Sequence, residues 1–576
     1  MSVPSPSPLS LAKPRWRAAV LIVLLLAGFG AAAGRAFYLQ VVRNDFLRQK
    51  GDARYSRVIE ISAHRGVITD RRGEVLAVST PVESVWASPQ DLEASPQQLR
   101  RLASALRIEA SELKRRVDDG GREFVYLKRQ LPPDEAAKVV GLGVPGVFLQ
   151  REFRRYYPAG EVLAHVIGFT GMDDNGQEGM ELAFQETLSG KPGSRRVIKD
   201  RLGRIVEDAE SIRAPRPGQA LPLAIDLKLQ YLAYRELKQA VEAQRARAGG
   251  IVVLDAVTGE VLALANVPSF NPNNRALNGS RARNRAVVDV FEPGSTLKPF
   301  TAAAALEAGV FRPETVLQTA PGYLTIGAAT IRDAHPQGAL TVAQVIQKSS
   351  NVGAAKMALA LPAQDLWGVF KGVGFGAPTG TGFPGEAGGR LRSPKTWRPI
   401  EQATMSYGHG ISVTLLQLAR AYTVFANDGE LKPVSLTRLD APAAGAQVIS
   451  PATARAVRAM LELAVQAGGT APKAQVVGYR VAGKTGTAHK LEGASYAANR
   501  YVSSFVGFAP ASSPRLIVAV MIDEPGAGQY YGGAVAAPVF SQVMGGALRL
   551  LNVPTDAPTG SLSLPAPDEA EVKEEV

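Results

Sequence analysis

The chain has no cysteine. That absence excludes a disulfide framework, a thiolate metal site, a cysteine nucleophile and a lipid-modified N-terminal cysteine. Histidine is scarce and scattered: His64, His165, His335, His409 and His489 stand singly, so no histidine-rich metal cluster is expected. No fixed-period repeat is visible. Acidic charge falls short of basic, with 52 Asp+Glu against 65 Lys+Arg and a net charge of +13. Such a surplus suits nucleic acid, an anionic membrane surface or an anionic polymer. What is present is length and apolar content: 576 residues, 46% hydrophobic and 20% charged, too long for one core and too apolar for disorder. Two or three domains are expected.

The N-terminus decides among the possible partners. Lys13, Arg15 and Arg17 precede an uncharged run from Ala18 to Gly34, closed by Arg35. At ~1.5 Å rise the run spans about 25 Å as a helix, the short end for a bilayer, with Trp16, Phe37 and Tyr38 as interface anchors. The cations place residues 1–17 in the cytoplasm and everything after Arg35 outside it, so a nucleic-acid role is not expected. A cleaved signal peptide is the alternative, because Ala31-Ala32-Ala33 fits a small-residue cleavage site. The run exceeds a usual signal-peptide core, which favours an uncleaved anchor over 18–35.

Residues 36–220 are rich in Arg and Glu and mix short alternating strands (Gly66–Val78) with polar helical stretches (Pro96–Val117), the pattern of an elongated, solvated module. The texture changes at Leu221. Asp226 is placed to cap a helix with Leu229, Leu232, Leu237 and Val241 near helical spacing, and two β-branched strands then meet at a turn over Ala256–Gly259. Val476–Ala482, Val502–Ala509 and Leu516–Asp523 read as strands and Val535–Leu551 as an apolar helix. Strands at both ends with helices between imply an α/β domain over 221–554 whose sheet is closed by its own termini. The acidic segment 555–576 is expected to be disordered.

Within that domain, Glu292-Pro293-Gly294-Ser295-Thr296-Leu297-Lys298 sets a helix start with Ser295 and Lys298 three residues apart. On a helix both side chains share one face, so the amine can take the hydroxyl proton and make the serine a nucleophile. Ser-x-x-Lys also occurs at Ser10/Lys13 and Ser111/Lys114, and Ser-x-Asn at Ser269/Asn271 as well as Ser349/Asn351, so neither motif is specific alone. Lys484-Thr485-Gly486-Thr487 is sharper, because Lys-Thr-Gly occurs once. A lysine and two hydroxyls on an edge strand can hold a carboxylate, and Gly486 would let an extended ligand pair with that strand. Simpler roles compete: Ser349 or Asn351 as helix caps, and Lys484 as a solvated edge lysine. His409 and His489 are not needed as acid or base.

The order Ser295-x-x-Lys298, Ser349-Ser350-Asn351, Lys484-Thr485-Gly486 resembles the penicillin-binding protein and serine β-lactamase superfamily. Arg65-Gly66-Val67-Ile68-Thr69-Asp70-Arg71-Arg72-Gly73 resembles the pedestal signature of class B penicillin-binding proteins, as do Tyr157-Pro158, His165 and Gly176-Gln177-Glu178-Gly179-Met180-Glu181. Arg35-Ala36-Phe37-Tyr38-Leu39-Gln40, Ser406-Tyr407-Gly408-His409-Gly410 and Tyr531-Gly532-Gly533 are similar to the division-specific, FtsI-type branch.

The resemblance implies an α/β (α+β) fold: a serine-transpeptidase domain with an antiparallel sheet flanked by helices, an elongated mixed α/β pedestal, and one transmembrane helix. It implies a peptidoglycan D,D-transpeptidase at the division septum, acting on D-Ala-D-Ala peptide stems and acylated by β-lactams. Ser295 would be the nucleophile and Lys298 its base, with Ser349 and Asn351 relaying the proton and holding the peptide amide. Lys484 would supply positive potential, Thr485 and Thr487 would bind the substrate carboxylate, and the N–H groups of Ser295 and Thr487 would form the oxyanion hole. No cofactor or metal is implied. Implied partners are an FtsW-type membrane glycan polymerase and other division proteins, with the pedestal, including Arg65, as the docking module. An elongation-specific enzyme, a β-lactamase or β-lactam sensor, and an idle division scaffold remain alternatives.

Overall fold

The computed structural model describes residues 15–44, 56–118, 122, 124–199, 205–274, 282–493 and 495–558. The first fourteen residues of the expected cytoplasmic tail and residues 559–576 of the segment expected to be disordered lie outside the described residues, whereas the start of that segment is held in place, Asp556 accepting from the Arg480 N–H and from Ser512 Oγ, both at 2.7 Å. Arg15–Phe37 is one α-helix, continued by a wider turn through Val42. Trp16–Val42 has a mean hydropathy of 2.1 and buries none of its length, as suits a helix facing lipid rather than a protein core. The helix runs past Arg35 because arginine is a good helix former: charge ends the apolar run, not the backbone conformation.

The chain divides into two compact units, residues 1–63, 81–152 and 191–216 in one and 64–80, 153–190 and 217–576 in the other. In the first unit, Ser56–Ile61, Gly193–Lys199 and Ile205–Arg213 form an antiparallel sheet in that order. A second sheet there pairs Glu83 with Leu131 and Ala87 with Val125, over a small core of Leu102, Leu106, Leu113, Leu127 and Val139. The stretch read as helical over Pro96–Val117 is two helices, Pro96–Leu106 and Ala110–Val117. Ser95 and Gln98 form a reciprocal cap at the first N-terminus, and Arg107 ends that helix in the left-handed region at φ +52°.

The second unit is built on a five-stranded antiparallel sheet, ordered Val261–Val267, Ala248–Asp255, Leu516–Asp523, Ser495–Ala509, Ala482–Glu492. Helices Leu227–Ala243 and Ala537–Leu550 cover one face, with Leu229, Leu237 and Phe540 against Ile251, Val253, Phe505 and Val518. Val252, Leu254, Val506 and Ile517 point the other way, into the core shared with the helices between Lys298 and Val465. The central strands are buried on both faces and therefore read as continuous apolar runs. Asp226 caps its helix, accepting from the Lys228 and Leu229 N–H groups at 3.0 and 3.3 Å. The hairpin at Ala256–Gly259 forms as read.

One strand does not form as read. Val476–Ala482 is not a strand: Val476–Tyr479 closes a turn through Gly478 at φ +81°, and the strand begins at Ala482. The Lys-Thr-Gly segment therefore lies inside the edge strand rather than after it. Valine-rich spacing mimicked a strand, but the glycine and the bond from Tyr479 Oη to the Val553 carbonyl (2.6 Å) hold those residues in a turn.

Arg65, expected on a docking face, is 3% exposed. Its Nε and that of Arg155 each donate to one oxygen of the fully buried Glu181, both at 2.6 Å. Arg65 also reaches the Glu181 and Asp174 carbonyls and Gln185, and Arg155 the Gly66 carbonyl. The Arg-Gly motif is a structural knot within the second unit. Asp70 extends it, accepting from the Arg72 and Glu74 N–H groups and from Leu227 at the start of the long helix.

Asp174 sits beside this knot at φ +59°, and its Oδ1 is buried without a hydrogen-bond partner. Burial pushes its carboxyl up from 3.8 to about 6, against the pull of Arg65 and Arg155. The native carboxyl keeps its proton to about pH 6 while the unfolded one releases it near 3.8, so ionisation subtracts stability progressively between these values and fully above them. Asp174→Asn, which tolerates the same backbone, is expected to raise the melting temperature by roughly 2–4 °C at pH 7.5. Scanning calorimetry against pH should show that gain vanish below about pH 4; a gain independent of pH would count against this account.

Candidate active site

Pro293 and Gly294, the latter at φ +57°, turn the chain into a single tight turn, Gly294–Leu297, that runs into the helix Lys298–Glu307. Pro299 falls in the first turn, where its missing N–H costs no bond. Ser295 and Lys298 thus stand together, 5% and 0% exposed. Lys298 Nζ donates to Ser349 Oγ at 3.0 Å and to the Ser349 carbonyl. Ser349 lies between helices Val342–Lys348 and Asn351–Leu359, in the left-handed region at φ +60°.

The turn bearing Ser295 packs on the edge strand. A Cβ on Gly294 would lie 2.9 Å from the Thr487 carbonyl, and one on Gly486 would lie 2.7 Å from the Pro293 carbonyl and 2.5 Å from Ser504 Oγ. Gly486 is therefore required where strand and turn meet. Gly486→Ala is expected to displace the turn and lower the second-order rate of acylation by penicillin at least about tenfold; an unchanged rate would show that the turn does not need this approach. Lys484 Nζ donates to Thr485 Oγ1 at 2.9 Å, Thr485 Oγ1 lies 2.9 Å from Thr470 Oγ1, and Thr487 Oγ1 accepts from the Gly532 N–H at 3.1 Å. Lys484, Thr485 and Thr487 are 0%, 0% and 4% exposed, so none is a solvated edge residue.

Ser350, not Ser349 or Asn351, caps the following helix, accepting from the Gly353 N–H at 2.9 Å. Asn351 Nδ2 donates to the Arg332 carbonyl at 3.1 Å. The other motif copies lie elsewhere: Ser111/Lys114 on the helix Ala110–Val117 of the first unit, and Ser269 bonded to the Glu161 carbonyl. Ser10/Lys13 lies outside the described residues.

Two residues of the site were not singled out from the sequence. Asp333, 9% exposed, accepts from Ser350 Oγ at 2.7 Å and the Val352 N–H at 2.9 Å, and so ties down the Ser-Ser-Asn segment; no local signal marks it. Glu292, immediately before the Pro-Gly pair, accepts from the Gly410 N–H at 2.8 Å and from Tyr496 Oη at 3.0 Å. Burial pushes its carboxyl up, opposed by these two bonds. His409 neighbours Tyr407 and Tyr496, with ring centroids 5.1 and 5.9 Å apart. Burial, then the charges of Lys298 and His489, push the His409 imidazole down to about 4, so it is neutral at pH 7. Among the described residues, no group of three or more His, Asp or Glu is placed to hold a metal ion.

This arrangement puts a serine, a buried amine and a second hydroxyl on one side of an edge strand rich in hydroxyls, a layout suited to acyl transfer. The sequence matches the penicillin binding protein transpeptidase domain over residues 249–545 and the penicillin-binding protein dimerisation domain over residues 60–223. It is 44% identical over 551 residues to the peptidoglycan D,D-transpeptidase FtsI of Escherichia coli (strain K12), covering 94% of this chain and 93% of that one. It is 42% identical over 556 residues to the probable peptidoglycan D,D-transpeptidase PenA of Neisseria gonorrhoeae, covering 96% and 95%. The apo structure of the TP domain from Burkholderia pseudomallei penicillin-binding protein 3 superimposes with a TM-score of 0.55 at 50% identity, over 58% of this chain and 98% of that one. A peptidoglycan synthetase from Bifidobacterium adolescentis, 24% identical, shares the fold over 90% of this chain and 100% of its own, with a TM-score of 0.70. With both domain matches in chain order and identity of this degree along almost its whole length, the chain belongs to the penicillin-binding protein transpeptidase family.

Proposed function

We propose that this chain is a peptidoglycan D,D-transpeptidase of the division septum, held in the cytoplasmic membrane by the apolar segment 18–35 of its N-terminal helix, with its N-terminus inside and residues 36–554 outside. The observation that carries the reading is the buried Lys298 amine bonded to Ser349 Oγ one turn from Ser295, on a turn packed against the Lys484-Thr485-Gly486 strand. Ser295 Oγ loses its proton to Lys298 and attacks the penultimate D-Ala carbonyl of a peptide stem. The C–N bond to the terminal D-Ala breaks, and that amine leaves with a proton relayed through Ser349. A second stem's amine then attacks the acyl-enzyme, forming the cross-link and restoring Ser295. Lys484, Thr485 and Thr487 hold the terminal carboxylate, Asn351 the peptide amide, and the N–H groups of Ser295 and Thr487 the oxyanion. An FtsW-type polymerase and other division proteins are the partners in this reading, and the anchor, pedestal and catalytic domains run over 18–35, 36–220 and 221–554.

Mass spectrometry of the purified full-length protein incubated with benzylpenicillin tests the chemistry. One covalent adduct is expected, on the peptide containing Ser295, and none in Ser295→Ala. An adduct on the Ser111 peptide would overturn the assignment. Cells carrying Ser295→Ala as sole copy are expected to grow as filaments; swollen cells would assign the chain to elongation, and normal division to a scaffold.

A further inference from the structure

A groove of about 1020 Å³ opens between the helices Leu227–Ala243 and Ala537–Leu550, the pair that covers one face of the main sheet. A Cβ on Gly546 would lie 2.6 Å from Leu232 Cδ2, so the glycine lets the two helices meet there. Tyr231 and Leu550 stand on the walls, 46% and 42% exposed. Three cations line the same groove, Lys228, Arg235 and Arg549, against one carboxylate, Glu236, which Arg235 holds at 2.6 Å. Lys228 and Arg549 have no acidic partner among the described residues. Lys228 also sits in the first turn of its helix, where the peptide dipoles disfavour a cation. A groove with apolar walls and surplus positive charge suits an acidic segment that carries an apolar side chain.

The chain itself carries such a segment. Beyond Pro558 come residues 559–576, in which Asp568, Glu569, Glu571, Glu574 and Glu575 surround Val572, with Lys573 as the single cation. Length allows the contact. Leu550 and Pro558 are eight residues apart, so at ~3.4 Å per residue the tail starts within about 27 Å of the groove. Asp568 stands ten residues further on, a reach of about 34 Å. Surface ion pairs are individually weak, but a tether that holds five carboxylates near the two unmatched cations at an effective concentration on the order of millimolar offsets that weakness. We propose that residues 568–576 dock in this groove, their carboxylates against Lys228 and Arg549 and Val572 beside Tyr231 and Leu550. The docked tail covers the groove, and an acidic segment of another protein gains it only by displacing the tail.

The lack of cysteine lets introduced thiols report the contact in the full-length chain. One variant carries Ala570→Cys with Gln542→Cys, which lines the groove and is exposed. A second carries Ala570→Cys with Val477→Cys, a position 49% exposed and outside the groove lining, next to Gly478, whose carbonyl accepts from the Asp556 N–H. Val477 lies beside the root of the tail, so an undocked tail meets it at least as often as Gln542. Each pair is treated with a short bismaleimide at low salt and read by intact mass spectrometry, where one linker joining both thiols differs in mass from two linkers attached singly. With each rate divided by that of the same thiols toward N-ethylmaleimide, the 542 pair is expected to bridge within one chain at least about tenfold faster than the 477 pair. Lys228→Glu and Arg549→Glu together, or about 0.5 M sodium chloride, are expected to bring the 542 pair down to the rate of the 477 pair.

Equal rates for the two pairs at low salt would overturn the proposal, and that comparison needs no charge reversal to fold. So would a fast 542 pair that keeps its rate in a Lys228→Glu, Arg549→Glu chain melting at the wild-type temperature. Bridges formed only between two chains would assign the groove to a second copy and likewise overturn docking of a chain's own tail.

Discussion

Lys298→Ala is expected to slow acylation of Ser295 by benzylpenicillin by about 10²-fold or more, measured as the second-order rate with a fluorescent penicillin. Lys298 is fully buried, and its amine is held by the Ser349 hydroxyl and carbonyl. Alanine removes the proposed base and leaves that carbonyl without its donor. Lys298→Arg is not expected to rescue the rate, since guanidinium keeps its proton throughout the accessible pH range and is too large for a closed site. A methionine at 298 fills the volume without the amine, so equal losses for Met and Ala would locate the effect in the proton acceptor. A wild-type rate in any of the three would remove Lys298 from the mechanism.

Glu181→Ala should be the most damaging single change to the fold. The carboxylate is fully buried and balances two guanidinium groups, those of Arg65 and Arg155, at 2.6 Å each. Removing it leaves two buried cations facing each other, and breaking a buried pair costs about 3–5 kcal/mol. Total stabilities lie at roughly 5–15 kcal/mol, so a large share of the margin goes. Arg65→Glu acts through the same centre by bringing a second carboxylate beside Glu181. Both variants are expected to melt at least about 10 °C below wild type, or to fail to accumulate, with penicillin labelling lost in parallel. The knot lies in the same compact unit as Ser295, so a division defect in Arg65→Glu is to be read as loss of fold. An Arg65→Glu protein that melts as wild type and still acylates would restore Arg65 to a docking role.

Local features were legible because their partners lie within a few residues. Asp226 capping its helix, the hairpin at Ala256–Gly259, the anchor helix and the Ser295/Lys298 spacing each follow from chain geometry over one or two turns. The strand Leu516–Asp523 was legible because both its faces are buried, leaving an unbroken apolar run. The same criterion failed at Val476–Ala482, where a valine-rich stretch is bent by Gly478 and held by Val553, a contact that spacing does not show.

Composition and motif order alone thus excluded cysteine chemistry in this chain and pointed to the apolar N-terminal helix and to Ser295, Lys298 and Lys484-Thr485-Gly486 as one set. Tertiary structure alone decided their working surroundings. Asp333 meets Ser350, Glu292 meets Gly410 and Tyr496, Gly486 meets Pro293, and Glu181 gathers Arg65 and Arg155. The reason is physical. A cap or a turn is satisfied by neighbours in the chain, but a buried charge takes whichever donor the packing of distant segments delivers, and nothing in the local sequence names that donor.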